Sequence, residues 1–147
     1  MEKSALVVNL FGVPGSGKST GAAYIFAMLK MNGVNAELVT EFAKDKVWEE
    51  SSEVFKNQTY IFGKQNFRQS RCKDKVEVIV TDSPLPLSMY YNCILMPSFD
   101  EMVMDVFYTY KNVNFLLQRT KPYNPAGRFQ TEDESDNMKE KNGWISR

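Results

Sequence analysis

At 147 residues the chain has the length of one domain, residues 1–147, and can bury roughly two-thirds of its unfolded surface. Hydrophobic residues make up 43%, which excludes a disordered polymer, and Lys+Arg and Asp+Glu both count 18, which excludes a global electrostatic footprint for nucleic acid. The absence of histidine excludes His-based triads and His-ligated metals, so catalysis has to rest on carboxylates, Lys, Arg or a cofactor metal.

In chain order, "ALVVNLF" (5–11) is a short apolar run ending at Gly12, as in a buried parallel strand. Lys18 to Met31 follow as a helix, with apolar residues at Ala22, Ala23, Phe26, Ala27 and Leu29 and a stop at Asn32-Gly33. "AELVTEF" (36–42) is a second strand candidate, and 42–50 and 57–71 read as helices. "VEVIVTD" (76–82) is a third strand, broken by "SPLP". Leu87 to Leu95 read as helical, and Ser98 to Glu101 form a capping box that opens a helix to about Tyr110. "NVNFLLQ" is a fourth strand, "RTKPYNPAGRFQ" a loop, and Thr131 to Glu134 a capping box before a polar helix. Strands alternating with helices imply an α/β layer fold with a mainly parallel sheet. No stretch reaches transmembrane length, and "MEKSALVVNLF" is too short for a signal peptide. Cys72 and Cys93 read as spare thiols of a cytoplasmic protein, not a disulfide framework.

Between the first strand and first helix lies a Walker A motif, Gly12-x-x-x-x-Gly17-Lys18-Ser19. Its residues Gly12, Pro14, Gly15, Ser16, Gly17, Lys18, Ser19 and Thr20 are the candidate nucleotide contacts. Glycines let successive N–H groups point inward onto phosphate oxygens, Lys18 adds a point charge, and the Ser19 hydroxyl suits Mg²⁺. A loop of this kind holds a nucleoside triphosphate such as ATP.

Ligands of α/β sheets sit beyond the carboxyl ends of the strands, and two acids fall there. Asp82 is the candidate metal-holding acid, against a plain turn aspartate before Ser83-Pro84. Glu41 is placed to accept the proton of an attacking hydroxyl, against a helix N-terminal acid stabilised by the helix dipole. Arg119 and Arg128, with Lys121 between them, bracket a basic lid loop near 119–130 that could close over transferring charge, against an ordinary exposed loop. Gln58 and Gln65 are seven apart, so one helix face carries two amides suited to a base edge, or merely two solvated glutamines. Arg68 and Arg71 follow, to track acceptor phosphates or to solvate the helix end. Trp48, Tyr60, Phe62 and Phe67 are candidates for base stacking, although aromatics at helical spacing are more often core.

Together "NLFGVPGSGKST", "ELVTEFAKD", "NQTYIFGKQ", "VTDSP" and "KPYNPAGRFQTEDES" resemble the bacteriophage P-loop kinases of the 5-hydroxymethyluracil DNA kinase type, related to nicotinamide-riboside and deoxynucleoside kinases. The resemblance runs from Asn9 to about Ser135, and the lid string is its most specific part. It implies an α/β P-loop NTPase with an adenylate-kinase-like parallel sheet of about four strands flanked by helices. It also implies transfer of the ATP γ-phosphoryl group to a hydroxyl, with Glu41 or Asp82 orienting that hydroxyl. Such kinases usually continue past the lid helix with a fifth strand and another helix, whereas here "NMKEKNGWISR" stops. Either the C-terminus is naturally shortened or a partner subunit completes the site, and the open sheet edge carries the expectation of self-association into a homo-oligomer. Three functions stay open: a kinase of a modified DNA base, a kinase of a free nucleoside or nucleotide, and an NTP-binding switch or ATPase.

Overall fold

The computed structural model describes residues 4–50, 52–90 and 96–118. Its elements are β1 (Leu6–Phe11), α1 (Lys18–Met31), β2 (Ala36–Val39), α2 (Phe42–Trp48), a 3-10 helix (Ser52–Lys56), α3 (Gln58–Ser70), β3 (Val78–Thr81), a second 3-10 helix (Leu85–Met89), α4 (Pro97–Phe107) and β4 (Lys111–Leu116). The four strands form one parallel sheet in the order β2-β3-β1-β4. β1 lies inside the sheet, which is why its run is apolar on both faces.

The alternation of β1 sorts its side chains into two packed layers. Val7 and Phe11 join Ile79, Val39, Phe62, Leu85, Phe99, Val103 and Phe107 beneath α3 and α4. Val8 and Leu10 join Val80 and Ala22 on the opposite face, with Phe26 and Leu29 of α1 packed against them. Ala23 and Ala27 of the expected stripe are exposed, because α1 meets the sheet along a narrower line than its apolar residues suggest. Asn9 brings a polar group into the first layer. Asn9 is buried, and its Nδ2 donates to Asn112 Oδ1 (2.9 Å) and Asn114 Oδ1 (3.0 Å), tying β4 to β1 beyond the main-chain ladder. Asn112 Nδ2 in turn donates to the carbonyl of Phe107 (2.8 Å) at the end of α4.

Three expectations change in detail. β2 ends at Val39, because Thr40 and Glu41 leave the sheet to start α2. α4 starts at Pro97 with Met96 as its cap residue and no side-chain cap. Proline suits the first helical position, so Ser98 falls inside the first turn and the Ser98–Glu101 capping box does not form. In the expected Leu87–Leu95 helix the described part is the 3-10 helix Leu85–Met89. Pro84 and Pro86 remove main-chain donors there. Residues 91–95 and the box at Thr131–Glu134 lie outside the described residues. No described helix is long and apolar enough to cross a membrane.

Ile79 is fully enclosed at the centre of the first layer. Ile79→Ala is expected to cost about 2–5 kcal/mol in urea unfolding. A loss below about 1 kcal/mol would contradict this packing.

Candidate phosphate-binding site

The loop follows directly from β1. Gly12 lies where a Cβ would collide with Ser16 Oγ and come within 3.0 Å of the Leu117 carbonyl oxygen, so any side chain there collides with the loop's own turn. Gly17 caps α1 with φ 98° and ψ 17°, a left-handed conformation that an L side chain rarely adopts. Gly17 brings no side chain to the N-cap of α1, and no side-chain cap hydrogen bond forms there among the described residues. Ser16 N–H donates to the Val13 carbonyl (3.1 Å), which closes the turn. Lys18 Nζ donates to the Gly12 carbonyl (2.6 Å), so the ammonium lies back over the loop. Thr20 is exposed on the first turn, whereas Pro14 and Ser16 are buried.

Asp82 comes to this loop from the neighbouring strand. Ser19 Oγ donates to Asp82 Oδ2 at 2.9 Å. Asp82 is 7% exposed, and its Oδ1 is buried without a hydrogen-bond partner among the described residues. A buried carboxylate oxygen without a donor, beside a hydroxyl, is a fitting pair of ligands for a hard cation. Among the described residues no three or more His, Cys, Asp or Glu gather as a metal site. Mg²⁺ held here would therefore take its other ligands from phosphate and water, as this ion usually does.

The acceptor-side residues divide. Glu41 is half-buried at the cap of α2, next to the end of β2, and makes no side-chain cap hydrogen bond. Gln58 is buried. Its Nε2 donates to the Phe55 carbonyl (2.8 Å), while Oε1 is enclosed without a hydrogen-bond partner among the described residues. Gln65 does not present an amide edge to a base. It is 3% exposed, its Oε1 accepts from Phe42 N–H (2.8 Å), and its Nε2 donates to the Thr40 carbonyl (3.1 Å). Arg68, expected to track acceptor phosphates or to solvate the helix end, is engaged within the protein. It pairs with Asp45 (2.6 Å), reaches the Thr40 carbonyl (3.3 Å) and lies over the Phe42 ring. Both residues fix the turn from β2 into α2, the segment that carries Glu41. Phe62 belongs to the core, whereas Trp48, Tyr60 and Phe67 are exposed. Arg119, Lys121 and Arg128 lie outside the described residues.

Sequence reasoning missed Thr40 and Asp45, which hold Gln65 and Arg68. Nothing in one sequence distinguishes them from any other polar residues beside a helix.

No protein-family model and no curated protein sequence matches this chain. Among solved structures, a mutant of the APS kinase CysC of Mycobacterium tuberculosis is similar over 98% of this chain and 99% of its own, with TM-score 0.52 and 14% identity. APE1195 is similar over 99% of this chain and 71% of its own, with TM-score 0.46 and 18% identity. The likeness to the APS kinase, with the strand order above, shows the fold: an α/β arrangement of a four-stranded parallel sheet flanked by helices, like that of this P-loop kinase.

The contacts of Gln65 carry a consequence for stability. Gln65→Ala leaves the Phe42 N–H without this acceptor and is expected to cost about 1–3 kcal/mol in urea unfolding. An unchanged midpoint would return Gln65 to the acceptor site.

Proposed function

We propose that this chain, as one kinase domain over residues 1–147, transfers the γ-phosphoryl group of ATP to a hydroxyl of a nucleobase or nucleoside. The first acceptor to test is 5-hydroxymethyluracil in phage DNA. The observation that carries the phosphoryl-transfer reading is the Ser19–Asp82 hydrogen bond beside a glycine-shaped loop, with Asp82 Oδ1 buried and unpartnered. The choice of acceptor rests on the sequence resemblance, and the cytoplasm, of the host if phage-encoded, is part of the same reading.

The first-turn N–H groups of α1 and the loop N–H groups would hold the β- and γ-phosphate oxygens. Lys18 would exchange the Gly12 carbonyl for a phosphate oxygen and offset its charge. Ser19 and Asp82 would hold Mg²⁺, which draws charge from the transferring group. Glu41, carried at the start of α2, would take the acceptor's proton as its oxygen bonds to the γ-phosphorus and the bond to the β–γ bridging oxygen breaks, releasing ADP. Gln58 Oε1 would accept a hydrogen bond from the acceptor. Arg119 and Arg128 would close over the transferring charge. Self-association along the outer edge of β4, which pairs only with β1 among the described strands, is part of the proposal.

Two measurements test this reading. ATP with Mg²⁺ is expected to raise thermal stability, by about 2.7 kcal/mol at a hundredfold excess over the dissociation constant. Lys18→Ala should remove most of that gain, and an equal gain in the variant would exclude the loop as the nucleotide site. With labelled ATP and separate hydroxymethyluracil DNA, free-nucleoside and acceptor-free reactions, Glu41→Gln should bind ATP normally yet transfer ~10²–10⁴-fold more slowly. Label released equally without any acceptor would make the chain a hydrolase instead. Arg119→Ala and Arg128→Ala should each lower kcat with little change in ATP affinity.

A further inference from the structure

The two hydrogen bonds of the Gln65 amide fall on either side of one residue. The Thr40 carbonyl belongs to the peptide unit before Glu41, and the Phe42 N–H to the peptide unit after it. Gln65 Nε2 donates to the first (3.1 Å) and Gln65 Oε1 accepts from the second (2.8 Å), so a single amide spans Glu41. Between two planar peptide units the only soft rotations are φ and ψ of the residue that joins them. Holding both units therefore holds φ −71° and ψ 119° at Glu41, and with them the direction in which its side chain leaves the main chain. Gln65 is 3% exposed, and both polar atoms of its amide are committed to this bridge.

A second brace acts on the same carbonyl. Arg68, one turn further along α3, donates to the Thr40 carbonyl (3.3 Å) and to Thr40 Oγ1 (3.4 Å). The other arm of its guanidinium pairs with Asp45 in the first turn of α2 (2.6 Å), and its Cζ lies 5.3 Å from the centre of the Phe42 ring. The chain is thus gripped before Glu41 at Thr40 and after it at Phe42 and Asp45. Solvation does not require this. Thr40 is exposed, so water could serve its carbonyl. Two side chains of α3 converge there instead, and each gives up rotamer freedom to do so.

We infer that Gln65 is a positioning residue for phosphoryl transfer, supported by Arg68 and Asp45, and that it acts by fixing the direction of Glu41. The inference rests on the proposed role of Glu41 as the base that takes the acceptor's proton. A base works only within hydrogen-bond reach of the hydroxyl, and a misplacement of about 1 Å can cost on the order of 10²-fold in rate. A glutamine serving stability alone would affect unfolding and leave turnover of the folded protein intact.

The test is a double-mutant cycle on the full chain, with labelled ATP and either hydroxymethyluracil DNA or a free nucleoside as acceptor. Gln65→Met, which keeps the length and removes the amide, should lower kcat about 10–100-fold with KM for ATP unchanged. In the Glu41→Gln background the same substitution should cost less than about twofold more, because a residue acting only through Glu41 has nothing left to position. Arg68→Lys keeps a cation for Asp45 but lacks the arm that reaches Thr40. It should give a smaller loss of kcat that also vanishes in the Glu41→Gln background, and it tests the same brace if Gln65→Met does not fold. Ile79→Val, which loosens the core away from this turn, should lower the melting temperature with kcat unchanged. Circular dichroism and the ATP–Mg²⁺ thermal shift establish that each variant is folded and binds nucleotide. Unchanged kcat in both α3 variants, a loss carried wholly by KM, or equal losses with and without Glu41 overturns the inference and leaves the proposed reaction standing. Glu41→Gln as active as the unaltered chain, or no transfer to either acceptor, overturns the proposed reaction and this inference with it.

Discussion

The 2.9 Å hydrogen bond from Ser19 to Asp82 is the contact on which the candidate site depends. It exists because β1 and β3 are adjacent and parallel. Their last pair is Asn9 with Thr81, but β1 continues to Phe11 alongside β4. Asp82 therefore stands one residue past the shared ladder, at the level to which the first turn of α1 descends. The glycines at 12 and 17 make that descent sterically possible. Strand order, stagger and loop stereochemistry thus meet at one carboxylate. Its second oxygen, shut away from water, is costly to the apo protein and gains from any cation placed there.

A second constraint positions Glu41. β2 has only four residues, and its exit must be rigid if Glu41 is to hold a fixed place. Main-chain groups on either side of Glu41 are gripped from α3. Gln65 takes the Thr40 carbonyl and the Phe42 N–H, and Arg68 reaches Thr40 while pairing with Asp45. A glutamine suits this work because its amide mimics a peptide group, donating to one main-chain partner and accepting from the other. The arrangement makes α3 a brace for a turn it does not itself contain.

The loop and Asp82 were legible in the sequence because their signals are local. A glycine pattern between a strand and a helix, and an acid ending an apolar run, can be read without knowing what packs where. The partners of Gln65 and Arg68 within the protein were not legible for the opposite reason. Their spacing correctly put Gln58 and Gln65 on one face of a helix, but spacing does not say whether that face turns to a ligand or to the protein's own main chain. The capping box at Ser98 failed because Pro97, one residue earlier, is the better start for a helix. Asn9 was read as part of a plain apolar strand, since its partners Asn112 and Asn114 are more than a hundred residues away.

Charge balance shows the same limit from another side. Equal totals of acids and bases excluded a global footprint for nucleic acid, yet a total averages over surfaces that a ligand never visits together. α3 separates its residues by face more than by composition. Its inner side carries Gln58, Ile61, Phe62, Gln65 and Gln69, with amides where a core helix would carry aliphatics. Gln69 is 1% exposed and neither amide atom has a hydrogen-bond partner among the described residues, so that side carries a real cost. Its outer side carries aromatics where a surface helix would carry acids and short polar residues. Both departures run against what stability alone favours. On the inner side, Gln65 shows what such a departure accomplishes, since it holds the turn that carries Glu41. On that side the helix is organised around the bend of β2, which Gln65 and Arg68 hold from α3.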